Sequence, residues 1–228
     1  MKNHSTSNSL DMSELYDENY FERGLQLGIS GYTSYSWMPD LTLKMAKFLI
    51  EDLKLSNQIV LDFGCAKGYL VKALRMHGIN AYGYDASEYA TSEAPEEIKN
   101  YCFCEKNYTI EKVLFENNIN FVISKDVFEH LEEDSLIKLL WNIKNSGVNS
   151  IYVVVPISKF DNEKYIIQSY ENDKTHILRK SAEWWEATLM SNLDFEIIMS
   201  SRIHGPVKEN WTKTHKDGNL FILLKRRV

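Results

Sequence analysis

Apolar positions along the chain follow two periods that alternate from one end to the other. Leu41, Leu43, Met45, Ala46, Phe48, Leu49 and Ile50 recur at helical spacing, and that spacing returns over 67–77, 87–94, 109–116 and 132–144. Between these stretches lie short apolar runs at 58–62, 80–84, 98–102, 120–124 and 150–155, which read as strands. Gly78 closes the helix from Lys67, Pro95 stops the one from Ser87, and Leu136, Leu139, Leu140 and Ile143 share one face of the helix over 132–144. The β-branched run from Ser150 to Val155 suits a strand buried on both sides, and Pro156 ends it. A long polar stretch reaches Arg179, and Ser181 then caps a helix carrying Trp184 and Trp185. A strand over 194–199 and a last strand over 219–225, reached through Gly218, complete the plan. The adjacent tryptophans cannot face the same way, so one packs inward and the other toward a pocket or solvent.

Such alternation predicts an α/β fold: one domain over 40–228 with a mostly parallel sheet, helices on both faces, and ligands gathered at the carboxyl ends of the strands. Residues 1–39 precede it as a polar tail and an aromatic segment with Tyr16, Tyr20, Phe21, Tyr32, Tyr35 and Trp37 among Gly24, Gly28 and Gly31. That segment suits either a lid over the strand ends or an apron packed on the core.

Composition narrows the function classes. With 228 residues, 44% hydrophobic, the chain can bury a core of its own, while a net charge of −6 supplies no positive field to collect phosphate backbones, so nucleic acid is not expected as a partner. No apolar run approaches the roughly 20 residues that a bilayer crossing needs, and Met1 to Asp11 is polar with no secretory signal, which points to the cytoplasm and away from membranes. Cys65, Cys102 and Cys104 are odd in number, and a lone C-x-C falls short of a zinc site, so reduced thiols are expected. The pattern is compatible with a monomer or a homodimer. Of the remaining histidines, His4 falls in the tail and His77 at a helix C-terminus.

Candidate chemistry centres on Val60-Leu61-Asp62-Phe63-Gly64-Cys65-Ala66-Lys67-Gly68-Tyr69-Leu70-Val71, a strand that breaks into a glycine-rich turn and opens a helix. Gly64 and Gly68 permit positive φ and close approach of a ligand to bare backbone, and the helix start offers unpaired amides. Asp85 follows Gly64 by about 20 positions at the end of the next strand, the offset at which a carboxylate meets a ribose; capping the helix from Ser87 is its other use. Asp62 can likewise cap the turn amides or receive an amino group. The third glycine of a dinucleotide fingerprint is absent, which disfavours a nicotinamide-dependent oxidoreductase.

This run, with an acid two residues before the first glycine, resembles the first motif of class I S-adenosylmethionine-dependent methyltransferases. Phe121-Val122-Ile123-Ser124-Lys125-Asp126-Val127-Phe128-Glu129-His130-Leu131 is similar to the same family's fourth-strand motif, where a strand leads into an "E-H-L" turn. The resemblance spans roughly residues 40 to 200. It implies a Rossmann-like sheet of seven strands with the last one antiparallel, S-adenosyl-L-methionine as cofactor, and a cofactor site bordered by Asp62, Gly64, Cys65, Ala66, Gly68, Asp85, Ala86, Ser124 and Lys125. Asn107 or Lys106 falls where the family presents a polar group to the adenine, and Asn120 stands where it often has Asp.

Methyl transfer from a sulfonium is an in-line displacement that needs alignment and the loss of one proton, with no obligatory metal. Asp126 and His130 are candidates bordering the acceptor. His176, in Asn172-Asp173-Lys174-Thr175-His176-Ile177 on the long loop after the fifth strand, is the preferred base, with Asp173 three residues earlier as the group that orients it. The D-x-T-H stretch resembles small-molecule and sugar methyltransferases, implying a small acceptor such as a sugar or glycan-precursor hydroxyl. An amine or amino-sugar acceptor, and a module that binds the adenosyl ligand without catalysis, are the alternatives. His204, before Gly205-Pro206, is a second candidate base.

Overall fold

The computed structural model describes residues 15–227. The tail reading for Met1 to Asp11, with His4, lies outside the described residues. Two short helices, α1 (Glu18–Glu22) and α2 (Gly24–Leu27), precede α3 (Pro39–Asp52). The alternation then runs β1 (Ile59–Phe63), α4 (Tyr69–Met76), β2 (Asn80–Asp85), α5 (Glu88–Ser92), β3 (Cys102–Cys104), α6 (Ile110–Glu116), β4 (Phe121–Lys125), α7 (Glu133–Lys144) and β5 (Ser150–Pro156). After the long loop come α8 (Ala182–Leu193), β6 (Phe195–Ser201), α9 (Glu209–Thr212) and β7 (Asn219–Arg226).

The seven strands form one sheet in the order β3-β2-β1-β4-β5-β7-β6. The first five are parallel, and β7 inserts antiparallel between β5 and β6. Strand order reverses between β1 and β4, so their carboxyl ends open a crevice, and Phe63 pairs with Ser124 at its floor.

Side-chain alternation along the strands builds two cores, one on each face. Leu61, Val122, Ile151 and Val153 meet Leu136, Leu140, Leu189 and Trp185 from α7 and α8 on one side. Val60, Ile123, Tyr152 and Val154 meet Ala46, Leu49, Val71 and Leu74 from α3 and α4 on the other. Strands apolar at every position are what this two-sided burial requires. β6 is the edge: its residues alternate buried and exposed, leaving Ile198 in solvent.

Two elements differ from the pattern's expectation. The third strand is Cys102–Cys104 and not 98–102, because Ile98 is buried as an anchor below the glycine turn while Lys99–Tyr101 coils into a 3₁₀ turn. The helix expected from Lys67 begins at Tyr69, with Gly68 as its N-cap at φ +72°. Ser87, Thr109 and Ser181 each cap a helix through the side-chain oxygen.

The tryptophan pair resolves as the spacing demands. Trp185 is fully buried against Phe128, while Trp184 is half-buried under the Lys180 ammonium at 4.5 Å from its ring centroid. Trp185→Ala is expected to cost about 3–5 kcal/mol, and Trp184→Ala less than about 2, as read from chemical denaturation midpoints.

Candidate active site

The turn after β1 is laid against β2 by its own backbone. The Gly64 and Cys65 amides both donate to the Tyr84 carbonyl, at 2.7 and 3.2 Å. Gly64 has φ +81°, and a Cβ there would stand 2.2 Å from Val127 Cγ2, so the loop after β4 presses directly on this glycine. Gly68 is a glycine for a different reason: a Cβ would meet Cys102 Sγ and Ile98 Cδ1 at 2.7 Å, on the side away from the crevice. Gly68, expected among the cofactor contacts, borders neither of the two cavities over the strand ends.

The carboxyls of the turn are arranged differently from one another. Asp85 accepts the Ala66 amide at 2.7 Å and the Ser87 amide at 2.8 Å, so it holds the turn and the start of α5 while still facing the larger cavity. Burial pushes its carboxyl up to about 6 against those two amides. Asp62 is buried, and none of the described residues donates to it, so it does not cap the turn amides. Burial raises its carboxyl to about 7, with Lys125 pulling the other way.

At the end of β4, Ser124, also expected among the cofactor contacts, is buried in the sheet and borders neither of those cavities. Lys125 reaches the adjacent Asp126 at 2.6 Å, and Lys208 reaches the same carboxylate from the loop between β6 and β7. Burial alone would raise Asp126, but the two ammonium groups outweigh it and hold the carboxyl well below the usual range. A carboxylate so stabilised is a poor proton acceptor, which removes Asp126 from the role of base. Lys208 carries no local sequence signal, sitting in a polar insertion of ordinary composition.

The two preferred histidines do come together. The rings of His130 and His176 lie 4.6 Å apart, edge to face. The His176 Nδ1 lies 2.9 Å from the Tyr170 carbonyl, which can only accept, so this nitrogen carries the proton and Nε2 keeps its lone pair. Asp173 does not orient His176, since its nearest oxygen is 4.0 Å from Nε2. It instead accepts the Tyr20 hydroxyl at 2.8 Å, the Thr175 amide at 3.0 Å and the Thr175 hydroxyl at 2.6 Å. Thr175 Oγ1 has thus committed its hydrogen, and the His130 Nδ1 at 2.7 Å must donate to it. Burial lowers both imidazoles, His130 to about 4, so both are neutral near pH 7. Between them lies the fully buried Glu129, and one ligating atom of each of Glu129, His130 and His176 falls within 4.8 Å of the others.

Other candidates lie elsewhere. His204 is bound between the Tyr152 hydroxyl at 2.7 Å and Asp52 at 2.9 Å behind the sheet, away from the crevice. Lys106 pairs with Glu88, Asn107 is exposed, and Glu105, directly after β3, is the residue of this turn that faces the larger cavity.

Two cavities meet over the strand ends. The larger, about 960 Å³, reaches Asp85, Ala86 and Glu105; the smaller, about 390 Å³, reaches Asp62, Cys65, Lys125, Glu129 and His176. Tyr20, Tyr32, Gly64, Ala66, Asp126 and His130 border both, so the N-terminal aromatic segment covers the crevice and divides it. A family model for the methyltransferase domain matches residues 35–198. The chain belongs to the methyltransferase-domain family.

S-adenosylmethionine is the cofactor of this methyltransferase. Its fold is similar to the methyltransferase domain of a bacterial Hen1, with a TM-score of 0.59 at 16% identity over 82% of this chain and 100% of that one. It is similar to magnesium protoporphyrin IX methyltransferase from Synechocystis PCC 6803, crystallised with S-adenosylhomocysteine, with a TM-score of 0.58 at 14% identity over 95% and 93% of the two chains. Against mitomycin 7-O-methyltransferase the TM-score is 0.57 at 13% identity, covering 82% of this chain and 54% of that one, so this methyltransferase spans about half that protein's length. No curated protein matches the sequence. Among the described residues no helix is long and apolar enough to cross a membrane.

The expected pairing of Asp62 with the cofactor's amino group is open to a pH test, because the carboxyl is buried. Its carboxyl titrates at about 7 and only the ionised form attracts an ammonium, so affinity for S-adenosylhomocysteine is expected to climb about tenfold per unit as pH rises toward that value and to level off above it. Asp62→Asn is expected to remove the part of the rise above about pH 6, where Asp85 is already ionised, read by calorimetric titration across roughly pH 6 to 8.5.

Proposed function

We propose that this methyltransferase carries the methyl group to a hydroxyl oxygen of a small polar acceptor, of the kind found on a sugar or glycan precursor. The observation that carries the reading is the pair of neutral imidazoles whose Nδ1 protons are committed to Tyr170 and Thr175, leaving two Nε2 lone pairs at the cavity border. Asp85, Ala86 and Glu105 suit the adenosine half of the cofactor in the larger cavity, and Asp62 suits its amino group in the smaller. The methyl then comes to the shared border, at Gly64, Ala66, Asp126 and His130, with the acceptor delivered from the side of His130 and His176. Displacement at carbon needs the oxygen in line with the departing sulfur, and activation of the hydroxyl passes through the Nε2 positions. Tyr20 and Tyr32 offer ring faces to the apolar side of such an acceptor. The fold is similar to that of a mitomycin 7-O-methyltransferase, and this likeness is compatible with an oxygen acceptor.

The test is release of S-adenosylhomocysteine with pooled sugars, phenols and amines. Turnover on hydroxyl compounds supports the reading, turnover confined to amines shifts it to N-methylation, and cofactor binding without turnover on any pool leaves a binding module. His176→Ala is expected to lower kcat by about 10²-fold or more while S-adenosylmethionine affinity stays within about twofold. Equal loss of both would take His176 out of acceptor activation.

A further inference from the structure

We infer that Glu129, His130 and His176 form a binding site for a divalent first-row transition ion at the acceptor end of the crevice. The inference deepens the reading above and rests on it for the position of the acceptor, though not for the ion itself. Three observations carry it.

The first is convergence: one ligating atom from each residue lies within 4.8 Å of the other two, and His176 Nε2 stands 4.0 Å from Glu129 Oε1. Ligands sharing a metal at bonds of about 2.0–2.2 Å stand roughly 3 to 3.5 Å apart, so side-chain rotations of about an ångström close the set. The second is the state of Glu129. Its side chain is 1% exposed, and no other described residue donates to either carboxylate oxygen. A carboxylate taken from water without a partner is among the costliest groups a core can hold, and a cation beside it removes that cost. The third is the direction of the imidazoles. His176 Nδ1–H is held by the Tyr170 carbonyl and His130 Nδ1–H by Thr175 Oγ1, itself backed by Asp173. Outer partners that fix the tautomer and leave Nε2 free are the arrangement metal-ligating histidines require.

Two nitrogens and one oxygen suit Mn²⁺, Fe²⁺, Co²⁺ or Zn²⁺ better than Mg²⁺ or Ca²⁺, which take oxygen sets. The nearest ammonium groups, Lys125 and Lys208, are both engaged by Asp126. Three protein ligands leave coordination positions open toward the smaller cavity, which Glu129, His130 and His176 all border. An acceptor hydroxyl bound there loses its proton to water more readily. Its oxygen electron pair then forms the new bond to the methyl carbon as the carbon–sulfur bond breaks, and the sulfonium leaves as a neutral thioether.

The full chain, stripped with a chelator and dialysed, is titrated with Mn²⁺, Co²⁺ or Zn²⁺ alone, without cofactor. One ion per chain is expected, with Co²⁺ giving the visible absorption of an imidazole-containing site. Glu129→Gln and His176→Asn each replace a proposed ligand and are expected to weaken binding by more than the roughly 10- to 100-fold that loss of an outer partner causes. Because the buried carboxyl of Glu129 has no partner that Gln would forfeit, this variant is expected to melt no lower than the stripped parent while losing the ion-dependent rise in Tm. Absence of stoichiometric binding of all three ions, or binding unchanged in both variants, would overturn the site while leaving methyl transfer untouched. Ion binding in a chain that methylates nothing would separate the two readings the other way.

Discussion

The carbonyl oxygen of Glu129 accepts the amides of Ile177 and Leu178, at 3.0 and 2.9 Å, and those two bonds hold the long loop after β5 against the turn after β4. The loop connects β5 to α8 without a strand of its own, and the Lys174 amide on the Ile29 carbonyl at 3.0 Å and the Tyr170 hydroxyl on Asn219 at 2.7 Å anchor it further. Pinning it to the turn after β4 puts His176 beside His130 and Thr175 under the His130 ring. The same turn presses Val127 onto Gly64, so the glycine turn of β1, the end of β4 and the loop are set by mutual contact at the one place where strand order reverses. An open parallel sheet concentrates its ligands at that place, and here it concentrates the backbone constraints as well.

Those constraints hold the carboxyls of Asp62 and Glu129 buried and that of Asp85 half-buried. Asp62, Asp85 and Glu129 are all raised by burial, Asp62 to about 7 and Asp85 to about 6. A carboxyl with a raised pKa in the folded state opposes folding once it ionises, so stability falls as pH climbs from the ordinary carboxylate range through those values. Such groups persist where a positive or hydrogen-bonding partner arrives with the ligand. Asp126 shows the opposite solution in the same crevice: two lysines neutralise it within the chain, and it becomes a structural bridge.

Much of the fold was legible because its determinants are local. Apolar period, the glycines after β1, the stops at Gly78 and Pro95 and the cap at Ser181 located the elements to within a few residues, since each depends on neighbours in sequence. Where a distant contact overrode the local pattern, the reading slipped. Ile98 looked like a strand residue because it is apolar, but it is apolar in order to pack under Gly68. The spacing of Asp173 and His176 suggested a hydrogen bond that a loop does not enforce, and the carbonyl of Tyr170 that takes its place has no signature at all. Glu129 was visible only as part of "E-H-L"; that its carboxylate joins two imidazoles from segments 46 residues apart depends on the loop being pinned. Lys208 is further still along the chain and reaches Asp126 through the insertion before β7.

The aromatic segment before α3 is tied into this same assembly by hydrogen bonds as well as by ring packing. Tyr20 both packs edge-on against Tyr16, Phe21 and Tyr32 and gives its hydroxyl to Asp173. Asp173 in turn fixes Thr175, and Thr175 fixes the His130 tautomer. Here a chain of hydrogen bonds runs from the cover of the crevice to an imidazole at its floor, in surroundings of low dielectric where each bond strengthens the next. Placement of the N-terminal segment and presentation of the Nε2 lone pair are therefore one structural state, and a ligand that needs the segment closed meets the imidazole already oriented.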